Sequence, residues 1–109
     1  MKNGLIVSIV GNKVWYLNDQ CHRVDGPAIE NTNGDKFWYV DGLRHRVDGP
    51  AIELVNGDKV WYQHGKRHRI DGPAIERVSG YKLWYIDGKY INCKTNEDFF
   101  RIVKLKAFW

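Results

Sequence analysis

Three times the chain carries the string His-Arg-x-Asp-Gly-Pro-Ala-Ile-Glu, at His22 to Glu30, His45 to Glu53 and His68 to Glu76. An imidazole near a carboxylate is how proteins orient a general base, so each copy holds the components of acid–base chemistry. Repetition argues against that use. A catalytic centre is one asymmetric constellation, whereas no Ser or Thr stands within any block and Cys21 precedes only the first. The expectation is no enzymatic activity and no catalytic residue, with Arg and Asp tying down the turn ahead of the proline. Metal binding fails on distance. With about two strands per repeat at ~4.8 Å each, His22, His45 and His68 would stand ~9 to 10 Å apart. Two zinc ligands at ~2.1 Å from the ion do not span that gap. Neither a metal nor a cofactor is expected.

The same period carries cations and aromatics, whose chemistry is binding. Arg44, His45, Arg46, Lys66, Arg67, His68 and Arg69 are the candidate partner-contacting residues, because a repeated cationic face meets an acidic patch on another protein. Trp38, Tyr39, Trp61 and Tyr62 offer π-faces beside Lys36, Lys59 and Lys82, an arrangement suited to stacking bases and holding phosphates. Nucleotide or nucleic-acid sequestration is therefore the alternative to a protein partner. Aromatics at a strand period also serve as core, and that use competes with stacking.

What positions these residues is a gap-free period of 23. The Trp-Tyr pair recurs at Trp15-Tyr16, Trp38-Tyr39, Trp61-Tyr62 and Trp84-Tyr85, each with a lysine two positions earlier. Four copies in one repeat domain spanning 1–109 follow from that spacing. Asn33-Gly34 and Asn56-Gly57 separate runs rich in aromatic and β-branched residues and predict hairpins; Asp41-Gly42, His64-Gly65 and Asp87-Gly88 predict a second set of turns. A two-residue Asn33-Gly34 loop would place Glu30 opposite Phe37, Ile29 opposite Trp38 and Ala28 opposite Tyr39. The Trp ladder would then share a face with Ile29, Ile52 and Ile75, and the Tyr ladder would share the other with Val14, Phe37, Val60 and Leu83. The expected fold is all-β, an antiparallel β-hairpin repeat forming a meander or solenoid-like sheet. A short C-terminal helix over about 97–109 caps it. Thr95 is its N-cap, and Phe99, Ile102, Leu105 and Trp109 form its apolar stripe.

Composition limits the remaining classes. The 109 residues include 17 basic and 13 acidic side chains, a net charge of +4 that is compatible with anionic partners without naming one. No run of 18 apolar residues exists to span a membrane, and the opening segment is too short and polar-flanked for an export signal. Lys104, Lys106, Phe108 and Trp109 make too small a strip for membrane-surface binding. Cys21 and Cys93 lie far apart with no metal-type spacing, so both are expected as reduced thiols in a cytoplasmic protein. Exposed Phe108 and Trp109 would allow a homodimer through the helix.

The unit from Asn56 to Pro73, with Trp61-Tyr62, Gly65, His68-Arg69 and Asp71-Gly72-Pro73, resembles a divergent MORN repeat. It is more closely similar to the Trp-Tyr-x-x-Gly-x-x-His-Arg-x-Asp-Gly-Pro-Ala repeats of bacteriophage and large-virus proteins. The resemblance covers roughly residues 4 to 92. It implies a stack of β-hairpins in a binding or scaffolding role, without catalytic residues. By that resemblance the chain is expected to bind a host protein and inhibit or redirect it in the host cytoplasm.

Overall fold

The computed structural model describes residues 1–105, in which strand and turn alternate as far as Ile91 before a single helix. The first copy contributes β1 (Gly4–Val7), β2 (Lys13–Leu17) and β3 (Gln20–Cys21). The second supplies β4 (Ile29–Glu30), β5 (Lys36–Phe37), β6 (Tyr39–Val40) and β7 (Leu43–Arg44), and the third β8 (Ile52–Glu53), β9 (Lys59–Val60), β10 (Tyr62–Gln63) and β11 (Lys66–Arg67). The last supplies β12 (Ile75–Glu76), β13 (Lys82–Ile86), β14 (Lys89–Ile91) and α1 (Asn96–Leu105). Ten strands form one antiparallel sheet in the order β1-β2-β4-β5-β8-β9-β12-β13-β14, with β3 beside β2. Hairpins β6–β7 and β10–β11 stand apart from it. The result is the expected antiparallel meander with one C-terminal helix, open and not closed on itself.

Trp38 and Trp61 mark where the second and third copies leave the main sheet. Trp38 N–H donates to the Ala51 carbonyl at 2.7 Å while its own carbonyl accepts from His45 N–H at 3.1 Å. Trp15 and Trp61 repeat this with Ala28 and His22, and with Ala74 and His68. Each crossing feeds a two-residue hairpin whose central residues both have positive φ, 51° and 78° at Asp41-Gly42 and 52° and 77° at His64-Gly65. That is the type I′ turn, whose twist matches its strands.

The Asn-Gly turns correct the expected register. Gly34 N–H returns to the Asn31 carbonyl and Asn31 N–H to the Asp35 carbonyl, both at 3.0 Å, with Gly34 at φ 104°. This is a three-residue loop with a glycine bulge rather than a two-residue loop. The pairing is therefore Ile29 with Phe37 and Glu30 with Lys36, one residue away from expectation. A one-residue slip exchanges faces. Ile29, Ile52 and Ile75 thus oppose Phe37, Val60 and Leu83, not tryptophans. In the continuous β13, alternation puts Leu83 and Tyr85 on one side and Trp84 on the other, so the isoleucines belong with the tyrosines. The buried core accordingly joins Ala51, Ile52 and Tyr62, with Phe37, Trp38, Leu54 and Val60 packed on it. The other face carries a charge ladder: Lys13, Glu30, Lys36, Glu53, Lys59, Glu76 and Lys82 are successive cross-strand neighbours.

Helix α1 covers the last copy. Thr95 Oγ1 accepts the Asp98 N–H at 3.1 Å, the expected N-cap bond. Phe99 is fully buried against Trp84 and Ile91, with Ile102 and Val103 beside it. Val103 takes the place expected for Leu105, which is exposed, because positions three and four beyond Phe99 complete its face. Phe108 and Trp109, and the dimer contact expected of them, lie outside the described residues.

Candidate functional site

Each His-Arg-x-Asp-Gly-Pro block folds into a clamp around one guanidinium. Arg46 lies over the Trp38 ring at 3.9 Å, and its Nε donates to Asp48 Oδ1 at 3.0 Å. Its Nη1 reaches the Pro50 carbonyl at 3.1 Å and Glu53 Oε1 at 3.2 Å. Arg23 over Trp15 and Arg69 over Trp61, both at 3.8 Å, repeat the arrangement with Asp25, Pro27 and Glu30 and with Asp71, Pro73 and Glu76. The glycine gives this approach its room: a Cβ on Gly49 would stand 2.8 Å from Arg46 Cζ, so the guanidinium would have to shift. Among the described residues no arginine lies over Trp84, and α1 takes that place, with Asn96 Oδ1 accepting the indole N–H at 2.9 Å.

The carboxylate of each block faces its arginine, and the histidine turns to the next copy. His22, His45 and His68 accept through Nδ1 from the backbone N–H of Asp41, His64 and Asp87 at 3.0, 2.9 and 3.0 Å. An imidazole that accepts there is the neutral tautomer with its proton on Nε2. Asp41 and Asp87 also bring a carboxylate to 3.3 Å of the ring, whereas His45 meets a second imidazole, His64, at 4.5 Å between centroids. Burial, and then the His64 charge, push the His45 pKa down. A parallel set of rungs, not foreseen from sequence, runs from Asn12, Asp35 and Asp58 to the N–H groups of Thr32, Val55 and Val78 at 2.8 to 2.9 Å. Its signal was an Asx residue recurring every 23 positions beside the turns. The Val78 amide, aided by Asn56 and Arg77, holds the Asp58 carboxyl below its ordinary range.

The seven residues expected to meet a partner are thus divided. Arg46 and Arg69 lie inside clamps, and His45 and His68 are rungs between copies. Arg44, Lys66 and Arg67 stand on the hairpin row, where Arg44 pairs across from Tyr39 and Arg67 across from Tyr62. The two guanidinium groups cover the tyrosines of the following copy, Arg44 at 5.4 Å over Tyr62 and Arg67 at 5.3 Å over Tyr85. The buried Arg44 Nε has no hydrogen-bond partner among the described residues. Of the four aromatics considered for stacking, Trp38, Trp61 and Tyr62 are each covered by an arginine, and Tyr39 is half-buried. Cys21, which takes the place of Arg44 and Arg67 in the first copy, is a free thiol, as is Cys93.

Between successive clamps the surface opens. One cleft, about 610 Å³, runs between the turns Arg23 to Gly26 and Arg46 to Asp48 and is lined by Trp38 and Val40. A second, about 510 Å³, lies 23 positions further, between Val47 to Pro50 and Arg69 to Asp71, with Trp61 and Gln63 in the same places. Val24, Val47 and Ile70 project along this row at 81, 74 and 67% exposure. The adjoining Asp25, Asp48 and Asp71 side chains are 78 to 87% exposed. Each clamp sets one arginine against an Asp and a Glu, and because the Glu also lies between two lysines of the ladder, the anionic groups the row turns outward are the Asp carboxylates alone.

No protein-family model, no curated protein and no solved structure matches the chain. Among the described residues, no helix is long and apolar enough to cross a membrane.

Proposed function

We propose that the chain is a non-catalytic binding protein that engages another protein along its repeated surface. The observation that carries this reading is the recurrence of one cleft, with equivalent residues, one repeat further along. A surface that offers the same contact at a fixed pitch suits an extended partner, which gains from engaging adjacent positions together. The titratable groups of the repeated blocks are occupied as struts, which supports a scaffold in preference to a reaction centre. The likeness to phage and large-virus repeats supplies the setting, a viral protein that inhibits or redirects a host factor in the cytoplasm.

A nucleotide or nucleic-acid ligand remains as a second reading because the Arg44 Nε is buried without a partner beside a ladder of tyrosines. Native mass spectrometry of the tagged protein, purified from its own cellular background, separates the two. A stoichiometric protein adduct that survives added salt, and is lost on replacing Val47 and Ile70 with Glu, is the expected result. A nucleotide-sized mass increment, excess absorbance at 260 nm and dependence on Arg44 and Arg67 would overturn it in favour of the second reading.

A further inference from the structure

We propose that the cleft row binds a polyproline II segment of another protein that carries Lys or Arg at every third residue; this rests on the protein-binding reading and names its ligand. The argument begins with pitch. Two strands per repeat at ~4.8 Å set equivalent residues ~9.6 Å apart. A polyproline II helix has three residues per turn and rises ~3.1 Å per residue, so one of its faces recurs every ~9.3 Å. An extended β-strand covers the same distance in three residues but turns alternate side chains to opposite faces, so every second contact would point away. An α-helix comes nearest with seven residues, ~10.5 Å, and drifts out of step by ~1 Å per repeat.

Backbone chemistry selects the same ligand. Strand addition needs unpaired N–H and C=O groups along the groove. Here Arg46 N–H is bonded to the Tyr62 carbonyl and Arg69 N–H to that of Tyr85, while the carbonyls of Pro27, Pro50 and Pro73 accept from the clamp arginines. A polyproline II segment has no ladder to complete and binds through its side chains. The clefts offer what such a segment needs. Val24, Val47 and Ile70 provide exposed apolar lining for proline rings, beside Trp38 and Trp61, which line the clefts beneath their clamp arginines. Asp25, Asp48 and Asp71 stand beside that lining at the same pitch, each using Oδ1 on its clamp arginine and turning an exposed carboxylate outward. Cations at positions i, i+3 and i+6 would meet the three in register.

The test compares three twelve-residue peptides, acetyl-(Pro-Pro-Arg)4-amide, a peptide of the same composition with its four arginines in one block, and acetyl-(Pro-Pro-Glu)4-amide, by tryptophan fluorescence and calorimetry in 150 mM salt. The expected result is saturable one-to-one binding of the periodic cationic peptide, at least about tenfold tighter than the block peptide, with no binding of the acidic one. Replacing Asp25, Asp48 and Asp71 together by Asn keeps an Oδ1 for each clamp and should weaken the periodic peptide about tenfold, because three exposed ion pairs are lost. Equal affinity for the two cationic peptides, or saturation by neither, overturns the proposal; this comparison is made on the unaltered protein and holds whatever the triple variant does. The two levels fail separately. A cellular partner released by Val47→Glu and Ile70→Glu, with no binding of (Pro-Pro-Arg)4, overturns the ligand class alone. A partner indifferent to both substitutions overturns the binding surface.

Discussion

At the scale of single residues, the repeated block is a device for holding an arginine against a tryptophan, and its glycine is the most exacting member. Gly49 leaves the space that Arg46 fills, so Gly49→Ala should displace the guanidinium from Trp38 and slacken its bonds to Asp48 and Pro50. A part-buried cation–π contact and a charge-assisted hydrogen bond together suggest a loss of about 1 to 2 kcal/mol, readable by denaturant titration with a change in Trp emission. Unchanged stability would mean that the guanidinium shifts beside the new methyl without losing its contacts. One histidine rung carries a response to acid. His45 has its pKa depressed, so the folded chain binds fewer protons there than the unfolded one. Its contribution is complete above the ordinary histidine value, about 6.5, and is lost as the pH falls toward the lower folded value. His64→Asp would recreate the pairing found at His22 with Asp41 and His68 with Asp87. It also replaces a histidine at φ 52° with a residue that accepts that backbone more readily. Thermal unfolding should show a higher midpoint at pH 7 and a shallower decline between pH 7 and 5; an unaltered slope would remove His64 as the cause.

At the scale of elements, legibility depended on whether a pattern had one physical solution or two. The 23-residue period, both sets of turns and the Thr95 cap were readable because Gly, Asn and Thr answer to local backbone demands. Asn-Gly serves both a two-residue hairpin and a three-residue loop with a bulge, and the choice between them moved the cross-strand pairs flanking those turns by one residue. The division of the arginines was hidden for a related reason. Arg44 and Arg46 are two positions apart and would share a face in an unbroken strand. The chain leaves β7 at Arg44, so one guanidinium covers a tyrosine and the other a tryptophan. Helix α1 shows the same logic, since its apolar face covers Trp84, the tryptophan over which no arginine lies among the described residues. Phe99→Ala should open that cover, costing about 3 to 5 kcal/mol. A red shift in the emission of Trp84, set against a variant in which Trp84 is replaced by Phe, measures it. A stability loss without a spectral change would place the defect elsewhere.

At the scale of the whole molecule, the bonds between copies are nearly the same at each junction: a histidine rung, an Asx rung, and a glycine N–H returned to the previous copy at Gly42, Gly65 and Gly88. Stability in such an array is close to a sum of repeat and nearest-neighbour terms, so an internal copy is removable in a way that a piece of an ordinary core is not. Deleting residues 45–67 joins Arg44 directly to His68, which recreates the Arg44-His45 junction in sequence and in phase. The shortened chain should fold with the same β signature in circular dichroism. It should unfold in one transition with an m-value lower by roughly a fifth, because exposed surface scales with the residues removed. The deletion also merges the two clefts into one, since the walls from Val47 to Pro50 and at Trp61 leave with it while Arg69 to Asp71 moves beside the first clamp. If an extended ligand is held by successive clefts at a fixed pitch, its affinity should fall disproportionately to the stability, with one carboxylate fewer in register. An unfolded product would show that the copies depend on more than their neighbours; a folded product with undiminished affinity would show that a single cleft suffices.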